Sequence, residues 1–192
     1  MWFIFFVGFF MTSQSLSLYS WNTSPFSAVW RVAFGSLFIA ACAQIQVPFF
    51  LVPMTMQPFA LMVVALLLPP TLAVSTVGAY IVEGALGLPV FAGLKGGAGV
   101  LLSPTAGYIM GFLPMVYVIS KLKHNLTTVS SRFLACMIGK IPLYTFGLAW
   151  LSSFVGFGVA IKVGFMPFIL PGLCSTLFAI LTVDLIGRFT KK

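Results

Sequence analysis

Gly84–Gly111 reads GALGLPVFAGLKGGAGVLLSPTAGYIMG, a glycine- and proline-rich loop with one lysine, held between two apolar segments of membrane-spanning character. Irregular backbone at membrane depth is tolerated only where protein covers it or where it lines a cavity. Gly93, Gly96, Gly97 and Gly99 let the chain approach another group closely. A loop of roughly fifteen residues in a compact domain calls for a functional reason, and ligand capture is the reading these residues favour.

Working outward, 60% of the 192 residues are hydrophobic and 6% are charged; the mean hydropathy is +1.13. Soluble domains carry roughly 25% charged residues, so this chain belongs in the lipid bilayer. A spanning helix needs about 20 apolar residues, which leaves room for roughly six or seven spans. The net charge of +8 sits mainly at segment ends, where it reports topology rather than nucleic-acid binding. Cys42, Cys136 and Cys174 all fall inside apolar runs and read as small buried hydrophobes. The lone His124 lies in a polar linker, and no metal-ligand spacing or cofactor motif occurs. A phosphate loop, an HExxH motif, paired carboxylates and a nucleophile–histidine pair are all absent from the sequence. Enzymatic chemistry is therefore not expected of this chain.

Six spans are expected, over about 27–45, 57–68, 71–86, 105–122, 133–154 and 170–189, giving an all-α bundle of six transmembrane helices over 27–192. Residues 1–26 form an apolar, aromatic N-terminal extension that we leave unassigned. Lys121, Lys123 and Arg132 cluster in one link, and Arg188, Lys191 and Lys192 crowd the C-terminus. The positive-inside rule puts both, and both termini, in the cytoplasm of a multi-pass protein of the bacterial plasma membrane. The irregular links 46–55, 88–104 and 155–167 then share the outer face.

Candidate binding residues follow from that asymmetry. Lys95 lies outside, against the charge bias, and reads either as a solvated loop charge or as a cation awaiting a ligand carboxylate; Lys162 has the same two readings. Glu83 lies within the third span, where an ionisable group is expensive; a functional role, the outer interface and a lysine partner are all open. Gln57 can donate and accept toward a neutral polar ring, or bond to the start of its helix. Tyr80 is either packing or ligand contact. Thr105, Gly107 and Tyr108 head the fourth span, where free backbone N–H groups make an acceptor-binding site. Ser36 and Ala40, one turn apart, permit close helix approach, either to a partner or inside the bundle.

Together AQIQVP (Ala43–Pro48), VPMTMQ (Val52–Gln57), GALGLPVFAG (Gly84–Gly93), SPTAGYIMGF (Ser103–Phe112) and Tyr144-x-x-Gly147-x-x-Trp150 resemble the BioY family, the biotin-binding S components of energy-coupling factor (ECF) transporters. The resemblance runs from about Arg31 to Phe189. It implies a six-helix bundle that binds biotin near the outer face, with Gln57, Tyr80, Gly93, Lys95, Thr105, Gly107 and Tyr108 around the vitamin. It also implies docking of a transmembrane coupling subunit on Ser36 and Ala40, with two ATPase subunits hydrolysing ATP.

One departure stands out. Family members usually carry an aspartate shortly after a Pro-Gly pair at the head of the last helix, and a lysine one turn on. Here Pro171–Gly172 is followed by Leu173, and Thr176 holds the lysine position. Lys95 or Lys162 compensates, or the ligand is another small carboxylate-bearing vitamin, or the chain is a structural subunit that binds none.

Overall fold

The structure is a computed structural model that describes residues 25–48, 51–123 and 128–190. His124 and residues 1–24 of the N-terminal extension lie outside the described residues; Pro25 and Phe26 belong to the first helix. The α-helices are α1 Pro25–Gln44, α2 Gln57–Leu67, α3 Pro70–Ala85, α4 Ala106–Leu122, α5 Val129–Val155, α6 Phe157–Gly164 and α7 Ile169–Thr190. Six correspond to the expected spans. The exception is α6, which lies in the link between the fifth and sixth.

Helix starts follow local chemistry. Proline, with its fixed φ and missing N–H, occupies the first turn of both α2 and α3. Leu68, preceding Pro69, is extended, which ends α2 cleanly. Thr128 and Ser131 form a reciprocal capping box at the head of α5, with Ser131 N–H donating to Thr128 Oγ1 at 3.3 Å. This starts the fifth helix four residues earlier than the apolar run does. The link expected to be irregular from Val155 to Pro167 is mostly helical: Gly156 breaks the chain at φ +79°, and the apolar segment after it winds into α6.

The central helix is α2. Gln57 and every residue from Phe59 to Leu66 are buried, as expected for a helix apolar on all sides. At about 1.5 Å per residue, its 11 residues cover only about half of a bilayer core, so its end must be satisfied by protein. Ser120 Oγ donates to Ala65 O at 2.8 Å, and Lys123 Nζ donates to Leu66 O at 3.3 Å and also to Leu68 O. A cation at a helix C-terminus also opposes the negative end of the dipole. Burial lowers the Lys123 pKa to about 8, and the neutral amine would still supply two donors.

Around α2 pack α1, α4 and α7, while α3 bridges α1 and α4. The pair α4–α5 is joined through glycines: Gly107 meets Trp150, Gly111 meets Leu143, Gly139 meets Ile119, and Gly147 meets the ring of Tyr108. Lipid tails are as apolar as the side chains, so close backbone approach of this kind drives association. Outward-facing Val29, Leu37, Leu170, Phe178 and Leu181 give the bundle an apolar exterior. Three helical stretches, Phe26–Gln44, Val129–Val155 and Phe157–Arg188, are long and apolar enough to cross a membrane. The chain is a multi-pass all-α membrane bundle.

Ser36 and Ala40 require a correction. They are 2% and 7% exposed, facing the interior rather than a partner. Ser36 Oγ donates to Glu83 Oε1 at 2.9 Å, so the small pair seats α1 against α3 and gives Glu83 a hydrogen-bond donor rather than a lysine. What α1 turns outward is Phe26, Val29, Trp30 and Leu37. Asp184 pairs with Arg132. Cys42 and Cys136 are buried as expected, but Cys174 is exposed, on an apolar surface suited to lipid.

Candidate functional site

The glycine-rich loop is folded over one end of the bundle by a small set of bonds. Phe91 N–H donates to Lys95 O at 3.0 Å, and Gly97 N–H donates to Gly84 O at 2.7 Å. Gln44, the last residue of α1, clamps the loop from both sides: its Nε2 donates to Phe91 O at 3.1 Å, and its Oε1 accepts from Leu94 N–H at 2.9 Å. Gly84 makes the fold-over possible, because a Cβ there would overlap the Phe91 ring. That ring stands edge-on to Tyr80, with centroids 5.5 Å apart.

Beneath the loop runs a chain of polar contacts. Thr55 Oγ1 donates to Gln57 Oε1 at 3.0 Å, Gln57 Nε2 donates to Tyr80 OH at 2.8 Å, and Tyr80 OH donates to Val90 O at 3.2 Å. The short hairpin of Gln46–Val47 and Met54–Thr55 brings Thr55 into place. The Gln57 amide keeps one N–H and one lone pair beyond these bonds. Its orientation is set before any ligand arrives.

These elements enclose a cavity of about 410 Å³, within the 300–1,000 Å³ range of small-molecule sites. Its walls are apolar, including Val52, Phe91, Ile109, Phe112, Leu143 and Phe168, with Thr55, Gln57, Lys95, Ser103, Thr105, Tyr108 and Tyr144 as polar points. All three links expected on the outer face meet at this end. Val52 and Thr55 come from the first, Phe91, Lys95 and Ser103 from the second, and the third closes through Gly164 at its end, whose carbonyl accepts from Tyr108 OH at 2.8 Å. Thr105 caps α4 without folding its hydroxyl onto the helix; the hydroxyl shares a 2.9 Å bond with Ser103 Oγ.

Of the residues singled out by sequence, Gln57, Lys95, Thr105 and Tyr108 line the cavity. Tyr80 stands behind Gln57, wholly buried. Gly93 lies in the loop beside Gln46 Nε2, at φ +73°, and Gly107 packs against Trp150; neither is in the cavity wall. Two residues escaped the sequence reading. The contacts of Gln44 depend on a loop fifty positions away, which no local pattern reveals. Lys140 does carry a local signal, a lysine in an apolar span. Its Nζ donates to Gly172 O and, at 2.7 Å, to Thr176 Oγ1. An ammonium thus reaches the Thr176 position from α5 instead of α7.

Comparison with known proteins agrees with this architecture. The sequence profile of the BioY family matches residues 11–192. A protein of Pyrococcus horikoshii named probable biotin transporter BioY is 36% identical over 157 residues, covering 80% of this chain and 94% of its own length. Biotin transporter BioY2 of Lactococcus lactis is 30% identical over 177 residues, covering 88% and 97%. A solved structure of the S-component for biotin from an ECF-type ABC transporter superposes with a TM-score of 0.76, covering 91% of this chain and 96% of its own, at 24% identity; it shares the fold. With the profile spanning nearly the whole sequence, the chain belongs to the BioY family.

Proposed function

We propose that this chain takes up biotin: it captures the vitamin in the cavity under the Gly84–Gly111 loop, at the outer face of the cell membrane, and delivers it inward. One observation carries the reading beyond the family's name. A mainly apolar cavity beneath the loop presents a pre-oriented amide, Gln57, backed by Tyr80. Biotin's chemistry is the complement. Its ureido ring needs donors and acceptors, its sulfur ring needs apolar and aromatic walls, and its valerate needs a cation or N–H groups. The protein acts as a transport subunit rather than an enzyme, with both termini in the cytoplasm. It works with a transmembrane coupling subunit and two ATPase subunits, whose ATP turnover reorients it in the membrane.

The test is equilibrium binding of labelled biotin to the purified chain in detergent. Saturable binding near one molecule per chain is expected. Absence of binding, together with thermal stabilisation by another carboxylate-bearing vitamin, moves the assignment to that vitamin. Lys95 is exposed on the loop, and an ion pair with a solvated lysine is worth about 0–1 kcal/mol. Lys95→Ala is therefore expected to weaken biotin binding no more than about fivefold. A loss of a hundredfold would show that the loop buries this lysine when the ligand is bound.

A further inference from the structure

Lys140 is 6% exposed and lies in the interior of α5, a helix of 27 residues. The one ion pair among the described residues is Arg132–Asp184, so Lys140 has no carboxylate partner there. Both of its acceptors belong to the first turns of α7, the positive end of that helix dipole. A buried ammonium in this setting is under-compensated, and an intramembrane charge kept at such cost is functional by default. An ammonium has three N–H donors; Gly172 O and Thr176 Oγ1 take two.

One helical turn further along α5, Tyr144 lines the cavity. Lys140 Nζ and Tyr144 OH stand 3.3 and 3.5 Å from the point where a Cβ on Gly172 would lie. The two polar groups therefore flank the same backbone position, Tyr144 in the cavity wall and Lys140 behind the lining. Tyr144 OH has no hydrogen-bond partner among the described residues.

We propose that Lys140 is a ligand-binding cation of this site, donating to an oxygen of the bound molecule beside Tyr144. The proposal rests on the biotin reading, and the chemistry it requires is an oxygen acceptor, supplied by either the ureido carbonyl or the valerate. Lys95 at the exposed rim and Lys140 at the buried edge are then two cations of unequal strength, and the buried one dominates because water does not screen it.

The experiment compares wild type and Lys140→Met by thermal unfolding without ligand and by equilibrium binding of biotin and of biotin methyl ester. Removing an under-compensated buried charge is expected to leave the unliganded midpoint unchanged or higher, while biotin affinity falls at least tenfold. A purely structural lysine would lower both. Loss of affinity for both ligands identifies the ureido carbonyl as the acceptor; loss confined to the free acid identifies the carboxylate. Unchanged biotin affinity in the folded variant overturns the proposal. Should Lys140→Met not fold, Tyr144→Phe and Lys140→Gln carry the same comparison. Failure of wild type to bind biotin removes the functional reading itself, a result distinct from wild-type binding with an indifferent Lys140 variant.

Discussion

Gln57→Leu is expected to weaken biotin binding by about 10- to 100-fold while the bundle stays folded. The leucine matches the glutamine in size but offers neither the free N–H nor the free lone pair toward the cavity. Its neighbours lose less: half-buried Thr55 Oγ1 gives up its acceptor but still accepts from the backbone N–H of residue 57, and Tyr80 OH gives up one donor at 2.8 Å. A polar group of the ligand buried against the leucine without a partner costs about 1–3 kcal/mol, and tenfold in affinity is about 1.4 kcal/mol. Because Tyr80 keeps its bond to Val90 O, the loop stays tethered and the loss falls on the ligand. Calorimetric titration of the variant checks this. Unimpaired affinity would remove Gln57 from the binding surface.

Gly147→Leu is expected to cost both stability and ligand. At this position α5 presses on the ring of Tyr108, and any Cβ would overlap it. The ring is trapped, since its hydroxyl donates to Gly164 O at 2.8 Å and its face forms cavity wall. Overpacking of this kind costs about 1–3 kcal/mol, and any shift of the ring that accommodates the leucine distorts the cavity wall that Tyr108 forms. A drop in thermal midpoint together with loss of biotin binding is the expected outcome. Gly158→Leu is the matched control, because nothing lies within 4 Å of a Cβ there. Equal behaviour of the two variants would show that the α4–α5 contact does not shape the site.

The spans were legible because a segment that must dissolve in lipid declares itself by composition; α3, α4 and α7 begin and end within a residue or two of their apolar runs. Faces were harder to read. α1 is apolar on nearly every side, so nothing in its sequence distinguishes inward Ser36 and Ala40 from outward Leu37. The head of α5 was hidden by Ser130 and Ser131, polar residues that read as linker but wind into helix through the cap at Thr128. In the site, side chains with chemistry of their own (Gln57, Lys95, Thr105, Tyr108) were identifiable as cavity-lining candidates. Glycines were less legible: Gly99 lines the cavity, whereas Gly93 serves a loop turn and Gly107 a facing helix. Gln44 and Lys140 act on partners 50 and 36 positions away, and such pairings exist only once the bundle has closed.

On the proposed function, this cavity opens to the outside of the cell and holds biotin. Labelling of Lys95→Cys with a membrane-impermeant maleimide tests it directly, in intact cells and in inverted vesicles, with and without saturating biotin. Cys42 and Cys136 are buried and Cys174 lies on the apolar surface, so the native thiols leave a low background, checked in the parent protein. Reaction from outside, slowed by biotin, is the predicted result. Reaction only from the cytoplasmic face, or a rate indifferent to biotin, would contradict the account.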